Sequence, residues 1–386
     1  MNSLEKLIAY CEQQEFKGWD PFDGLNSPII NKTILGKSRV FRLAWIQLFK
    51  RNPINLRPFV GIKKGYNTKG LALFLIGYCN LFEKKRNPQY LKTIFFLSDK
   101  LLELKTQGYS GDCWGYNFDW QARAFFQPKG TPTIVATSYA VEALIRAYNV
   151  TGKSNYLNAA ISATAFVLKD LNRTYDQDKN YTISYSPSDK TSVYNAGLLG
   201  VKLLAIIYKI TKENTLFENA KKIIGFVVDK QNLDGSWYYS PLAHHKWIDS
   251  FHTGFNLECI YIYMHAFNDF SYQQNFDKGT KYYLDNFFTE NGQSKYYNDK
   301  KHPIDIHSPA QLLVFLSKTG LIKKHKTLAL SVYSWTQSKM QSTKGYFFYQ
   351  KRKYFTNKIS YIRWSQAWAF HALTYAQSFL YEENQN

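Results

Sequence analysis

Four polar residues, Asp249, His252, Thr253 and Asn256, follow an aromatic turn at helical spacing, with Trp247 just upstream. A helix beginning near Ser250 puts them on one face, because residues three and four apart stack along a helix. A carboxylate beside an imidazole fixes its tautomer and raises its basicity, as a base that removes a proton from a sugar requires. The plainer reading makes Asp249 a helix cap and His252 and Asn256 packing residues. Four polar side chains on a face that ought to be buried favour a site.

A second cluster lies in the stretch Asp112, Trp114, Tyr116, Asn117, Asp119, Trp120, Gln121 and Arg123. Its tryptophans suit stacking on a sugar ring and its guanidinium suits a carboxylate, although an Asp119–Arg123 pair that merely orders the loop is the rival account. Asp119 and Asp249 are the available carboxylate pair for glycoside hydrolysis, and Tyr194, beside Asn195, is the candidate phenol donor. Asp305 with His307, and Arg363 with Trp364, open two further helices and join Trp237 as candidate ligand contacts. The run Trp19 to Gly24 reads as turn chemistry that plugs or rims the pocket. No phosphate loop, dinucleotide fingerprint, metalloprotease helix or nucleophile elbow occurs, and no cofactor or metal is expected.

Positioning these residues falls to a repeat, in which a helical run closes on an aromatic turn, a loop follows, and an apolar run opens on polar residues. The clearest copy is Gln231, Gly235, Trp237, Tyr238 and Tyr239, and weaker copies sit at Trp114, Tyr181, Tyr296 and Tyr346. The unit returns roughly every 45 to 65 residues, the signature of stacked helical hairpins. Apolar periodicity predicts helices over 37–50, 67–83, 88–106, 132–150, 154–171, 192–211, 214–230, 250–268, 272–288, 309–319, 323–340 and 360–381. Thr131 before Pro132 and Ser308 before Pro309 read as helix caps followed by proline. Small residues such as Ala136, Ala140, Ala196 and Gly200 mark the first helix of each pair as the inner one. The expected fold is all-α, an (α/α)6 toroid of about six hairpins, with 37–50 beside 360–381 closing the ring. Residues 1–36 are expected to be an extension packed on a single domain of 37–386.

The 45% hydrophobic content is ordinary, but 17% aromatics exceeds what a core needs and suits a ligand-lined cavity or an organism rich in Tyr and Phe. A net charge of +20 attracts polyanions. The lysines are scattered rather than gathered in an arm, which speaks against nucleic acid and leaves loose contact with an anionic inner membrane. Cys11, Cys79, Cys113 and Cys259 are too far apart for a metal cluster and fit a reducing compartment. The first fifteen residues lack the pattern of a secretory signal, so cytoplasmic residence is expected.

Gln231, Gly235 and Trp237 resemble the glutamine–tryptophan repeat of squalene cyclase and protein prenyltransferase toroids, and the wider pattern resembles the six-hairpin toroids of glycoside hydrolases, polysaccharide lyases and uronate epimerases. Gly18 to Ser27, Trp114 to Phe126 and Lys129 to Ser138 are similar to bacterial proteins of capsule and surface-polysaccharide clusters. The cyclase acid motif is missing, and His252 with Cys259 does not reproduce a prenyltransferase zinc site. The resemblance implies a glycan or lipid-linked saccharide as partner, and lyase, epimerase or hydrolase chemistry in making a surface polysaccharide. A non-catalytic glycan-binding protein and an isoprenoid-handling enzyme are the alternatives.

Overall fold

A computed structural model describes residues 1–122 and 126–382. In chain order its helices are α1 (Ser3–Gln13), α2 (Pro28–Asn31), α3 (Arg39–Arg51), α4 (Thr68–Lys85), α5 (Pro88–Glu103), α6 (Ile134–Thr151) and α7 (Ser154–Ala165). They continue with α8 (Tyr194–Thr211), α9 (Asn214–Val228), α10 (Ser250–Phe267), α11 (Gln273–Phe287), α12 (His307–Lys318), α13 (Lys326–Met340) and α14 (Trp368–Glu382). A π-helical turn, Ile362–Ala367, leads into α14.

The even-numbered helices from α4 to α14 pack side by side in a closed inner ring, α14 touching α4. Each has an outer partner: α5, α7, α9, α11, α13 and, for α14, α1. Burial follows this division. In α4 every residue from Thr68 to Leu81 is buried, as a helix enclosed on all sides must be. In α9 burial is concentrated on a stripe with Leu216, Ala220, Ile223, Ile224 and Val227.

The glutamine motif explains how neighbouring hairpins lock. After α9, Gln231 Nε2 donates to Gly235 O at 2.8 Å across its own turn and to Asn275 O at 3.0 Å on the next outer helix, α11. After α13, Gln341 Nε2 does the same with Gly345 O and Ser3 O, both at 2.9 Å, reaching α1. At this closing seam Gly345 has φ +95°, and a Cβ there would strike the Lys6 carbonyl oxygen of α1. On the inner ring Gly77 of α4 lets the Phe370 ring of α14 approach just as closely.

Two expectations are corrected. The helix foreseen at 37–50 exists as α3, but it packs on the 3-10 turns Asp23–Asn26 and Ile34–Lys37 and on a short strand at Trp120–Gln121, over the ring's mouth. The amphipathic α1, capped by Asn2 with Glu5, takes the place beside α14. Helix starts also shift. Thr133, not Thr131, caps α6, because Thr133 N–H donates to Trp114 O and holds the preceding residues against the loop. Helix α12 begins at His307 rather than after Ser308, with Asp305 accepting the His307 N–H at 2.9 Å. Among the described residues the loops also carry three small antiparallel sheets, β1–β2 (Trp120–Gln121, Phe126–Gln127), β3–β4 (Arg173–Tyr175, Tyr181–Ile183) and β5–β6–β7 (Ile304–Asp305, Gln350–Lys351, Thr356–Asn357).

Charge fills the axis of the ring at one level. Glu142, Lys202 and Glu258 are each the ninth residue of their helices, α6, α8 and α10. Lys202 Nζ lies 2.6 Å from Glu142 and 2.9 Å from Glu258, and Lys318 Nζ of α12 lies 2.6 and 2.8 Å from the same two. Burial alone would raise the Glu142 and Glu258 carboxyls, but Lys202 and Lys318 more than offset it and hold both below their ordinary range.

Gly345→Ala combines left-handed strain with a backbone clash, so it should lower unfolding free energy by about 2 kcal/mol or more. Gly320→Ala, at φ +73° with nothing within 4 Å of a Cβ, should cost only the strain, about 1 kcal/mol. Urea titration of both variants measures the difference.

Candidate functional site

Asp249 sits in an extended conformation before α10 and accepts the His252 N–H at 3.0 Å through Oδ1. Its other oxygen, Oδ2, lies 2.7 Å from His252 Nδ1 and accepts from Trp247 Nε1 at 3.2 Å. The cap and the orienting carboxylate are therefore one residue. This pairing makes Nδ1 the protonated nitrogen of a neutral His252, and Nε2 has no hydrogen-bond partner among the described residues. The Trp247 ring stacks on Tyr239 at 4.8 Å and 15°, and Tyr239 touches the His252 ring at 4.8 Å. Burial, then the Asp249 charge, pushes the Tyr239 phenol above its usual range, so it stays a donor.

These residues line a small cleft, partly open to solvent, with Asn195, Trp237, Tyr238, Thr253 and Asn256. It lies between the starts of α8 and α10. Asn195 and Tyr239 were not among the sequence candidates. Their signal was present, since Asn195 is the polar residue opening α8 and Tyr239 ends the clearest repeat turn.

Beside this cavity lies a buried polar cluster. Phe251 joins the two, its ring 4.4 Å from His252, 4.7 Å from His307 and 5.6 Å from Trp364. Asp305 is fully buried and accepts from Trp364 Nε1 at 2.9 Å, His307 N at 2.9 Å and Gln350 Nε2 at 2.6 Å. Burial outweighs those bonds and the Lys50 ammonium, and raises its carboxyl to about 6. Burial, then Lys69 and Arg363, keep the His307 imidazole well below its usual range, and neither ring nitrogen has a partner among the described residues.

Arg363 grips Asp20 with both arms, Nε–Oδ2 at 2.6 Å and Nη2–Oδ1 at 2.8 Å. Asp20 belongs to the turn-rich N-terminal run, which Arg57 anchors through Asp23 Oδ1 at 2.6 Å and Asp20 O at 2.7 Å. The run occupies the mouth of the ring, and Arg363, at 4% exposure, is committed to it.

The remaining candidates fall elsewhere. Trp114 is fully buried and its Nε1 donates to Leu101 O at 2.8 Å; Trp237 likewise donates to Val227 O at 3.1 Å while its edge reaches the cavity. Both seal the end of an outer helix. Asp112 pairs with Lys105 at 3.1 Å, and its N–H donates to Ser162 Oγ of α7. Asp119 accepts the Lys129 N–H at 2.6 Å, fastening its own loop. Trp120 packs against Phe22 and Tyr185. Tyr194 is buried at the start of α8 and does not line the cavity. Arg123 lies outside the described residues.

No family model matches the sequence, and no curated protein matches it. Solved structures do. A cellobiose 2-epimerase from Bacillus thermoamylovorans superposes with a TM-score of 0.63 at 12% identity, covering 82% of this chain and 88% of that one. The fold is a six-hairpin α/α toroid. A family 76 α-mannanase from Bacteroides thetaiotaomicron gives 0.63 at 14% identity over 82% and 88% of the two chains. An unsaturated glucuronyl hydrolase specific for heparin gives 0.59 at 12% identity over 81% and 86%.

Asp305 offers a test of the cluster's electrostatics. An acid whose folded pKa lies above its unfolded value stabilises the fold below the unfolded pKa, and that contribution is lost as pH rises through the folded one. With 3.8 as the reference and about 6 in the fold, the loss amounts to about 3 kcal/mol. Asp305→Asn keeps an oxygen for Trp364, so its stability relative to the native chain should rise by up to that amount between pH 4 and 7. Urea midpoints across this range report it, and parallel pH profiles would refute it.

Proposed function

We propose that the chain is a carbohydrate-active enzyme in which His252 moves a proton at a sugar carbon next to a carbonyl, as an epimerase does. The observation that carries this reading is the Asp249–His252 pair at 2.7 Å, on a cavity walled by the stacked Tyr239 and Trp247 rings. An aromatic wall suits the face of a sugar ring, while the oriented imidazole supplies the base. His252 Nε2 takes the proton and the C–H electron pair passes to the carbonyl oxygen; the pair then returns to carbon as the Tyr239 hydroxyl protonates the opposite face, which gives the epimer, and the phenolate recovers the proton held on His252. Tyr239 is the donor placed nearest His252 among the aromatic contacts, and the Asn195 and Asn256 amides are donors for the developing oxyanion.

Hydrolysis is less favoured, because Asp119 is engaged in its loop and Asp249 is the carboxylate that lines the cavity. A uronate is less favoured as well, since the Arg363 guanidinium is already saturated by Asp20. We therefore take the substrate to be a neutral sugar unit of a glycan, and place it in surface-polysaccharide synthesis on the resemblance to capsule-cluster proteins. The fold shared with a cellobiose epimerase and a mannanase supports a carbohydrate substrate in general terms.

A second reading is glycan binding without turnover, which the stacked Tyr239 and Trp247 rings would serve equally well. Proton NMR in D₂O separates the two. Incubation with neutral reducing oligosaccharides should exchange the hydrogen next to the carbonyl, and His252→Gln should lower the rate by about 10²-fold or more while leaving circular dichroism unchanged. Asp249→Asn should lower it too, through the tautomer. Binding without exchange by the native chain would establish the second reading, and undiminished exchange by His252→Gln would remove His252 as the base.

A further inference from the structure

The segment from Pro28 to Lys64 carries an exposed apolar surface unlike the rest of the molecule. Ile34 is 88% exposed, Phe59 79% and Val40 77%, and Ile29, Leu35 and Ile54 are also more than half exposed. Helix α3 is amphipathic in the inverted sense. Ile46 and Phe49 face inward, whereas Val40, Ala44 and Leu48, at helical spacing, form an exposed stripe. The pieces make one contiguous cap. Ser27 Oγ donates to Val60 O at 2.8 Å, a Cβ on Gly61 would touch Pro28, and Arg42 Nη1 donates to Lys37 O at 3.1 Å. Single exposed apolar residues are ordinary, but a contiguous patch marks a place where something docks.

Charge says what docks. From Gly24 to Phe82 the sequence contains no Asp or Glu. Lys32, Lys37, Arg51 and Lys63 are exposed within this stretch. Two copies meeting through this face would bring like charges together without an acid to pair them. A nucleic acid would leave the isoleucines and Phe59 without apolar contact. An anionic lipid surface satisfies both properties, since apolar side chains enter the acyl boundary while lysines and arginines meet the headgroups.

We propose that residues 28–64 form a docking face for an anionic bilayer. This inference is independent of the reaction assigned to His252. It also orients the molecule. Helix α3 lies over the mouth of the ring, with Lys50 Nζ 4.7 Å from the Phe22 ring of the N-terminal run, so docking sets the mouth beside the headgroups.

Flotation of the full chain with large unilamellar vesicles tests this. The chain should float with phosphatidylcholine vesicles containing about a third phosphatidylglycerol, and not with phosphatidylcholine alone. Binding should fall steeply between about 0.05 and 0.5 M salt. Ile34→Asp with Phe59→Asp should lower partitioning about tenfold or more, and Lys32→Gln with Lys37→Gln roughly fivefold per charge. All four side chains are exposed, so circular dichroism and thermal melts should match the native chain; Val40→Asp alone is the reserve should the double variant melt early. The proposal fails if the native chain does not float with anionic vesicles, or if the apolar variants float as well as it does. It also fails if light scattering shows a dimer that Ile34→Asp with Phe59→Asp dissociates, or if a short DNA duplex competes the chain off the vesicles and binds the apolar variants undiminished.

Discussion

Closing six helices into a ring leaves an axis that has to be filled, and the way this chain fills it governs the rest of the molecule. At the level of Glu142 and Glu258, four charges from four inner helices neutralise one another: Lys202 and Lys318 each bridge both carboxylates within 2.9 Å. Such a network adds little net stability over apolar packing, because desolvating the charges costs about as much as their attraction returns. Its effect is on register. A shift of one residue along any of the helices α6, α8, α10 or α12 would leave a charge buried without a partner, so the network fixes the height of those helices against one another.

At the mouth the same problem is solved from outside the ring. Asp20 enters on the N-terminal run and meets Arg363, while Arg57 ties that run down through Asp23. With the mouth occupied on this side, a cleft is left between the starts of α8 and α10, where Asn195, Asp249 and His252 come together. The register of α8 against α10, set deeper by Lys202 and Glu258, is thus also what holds Asn195 at the height of His252.

Much of this was legible in the sequence. The inner helices are apolar on all sides and the outer ones on a stripe, and the spacing of Asp249, His252 and Asn256 reported a polar helix start in a place that ought to be greasy. What escaped has definite causes. Helix α1 is only eleven residues long and its partner α14 lies at the other end of the chain, so no local pattern announces that it completes the outer ring. Trp114 looks like a ligand-stacking residue, but its Nε1 is consumed by Leu101 O, a contact that depends on how an outer helix ends. The commitment of Arg363 to Asp20 spans 343 positions, beyond any motif. Glu142, Lys202 and Glu258 carry a readable signal, charges at the same ninth position of three largely apolar helices.

Burial of the axial groups also decides which of them can exchange protons with a ligand. Lys69 has its Nζ 4.5, 5.2 and 5.0 Å from the centres of Tyr139, Phe255 and Trp368, and among the described residues no carboxylate pairs with it. Burial first, then the Arg363 and Lys202 charges, drives its ammonium well below the usual lysine range. The His371 imidazole is pulled down to about 3 by burial and Lys318, and His307 is depressed in the same way. A ring sealed by paired charges therefore disfavours charge on its unpaired basic side chains, since each cation stands beside others with no solvent to screen it. His252 differs in two respects: its side chain retains 23% exposure, and the Asp249 carboxylate stands 2.7 Å from Nδ1, where it would stabilise an imidazolium. The asymmetry between a sealed axis and an open flank sets His252 apart from the sealed imidazoles, and the proposed proton transfer rests on it.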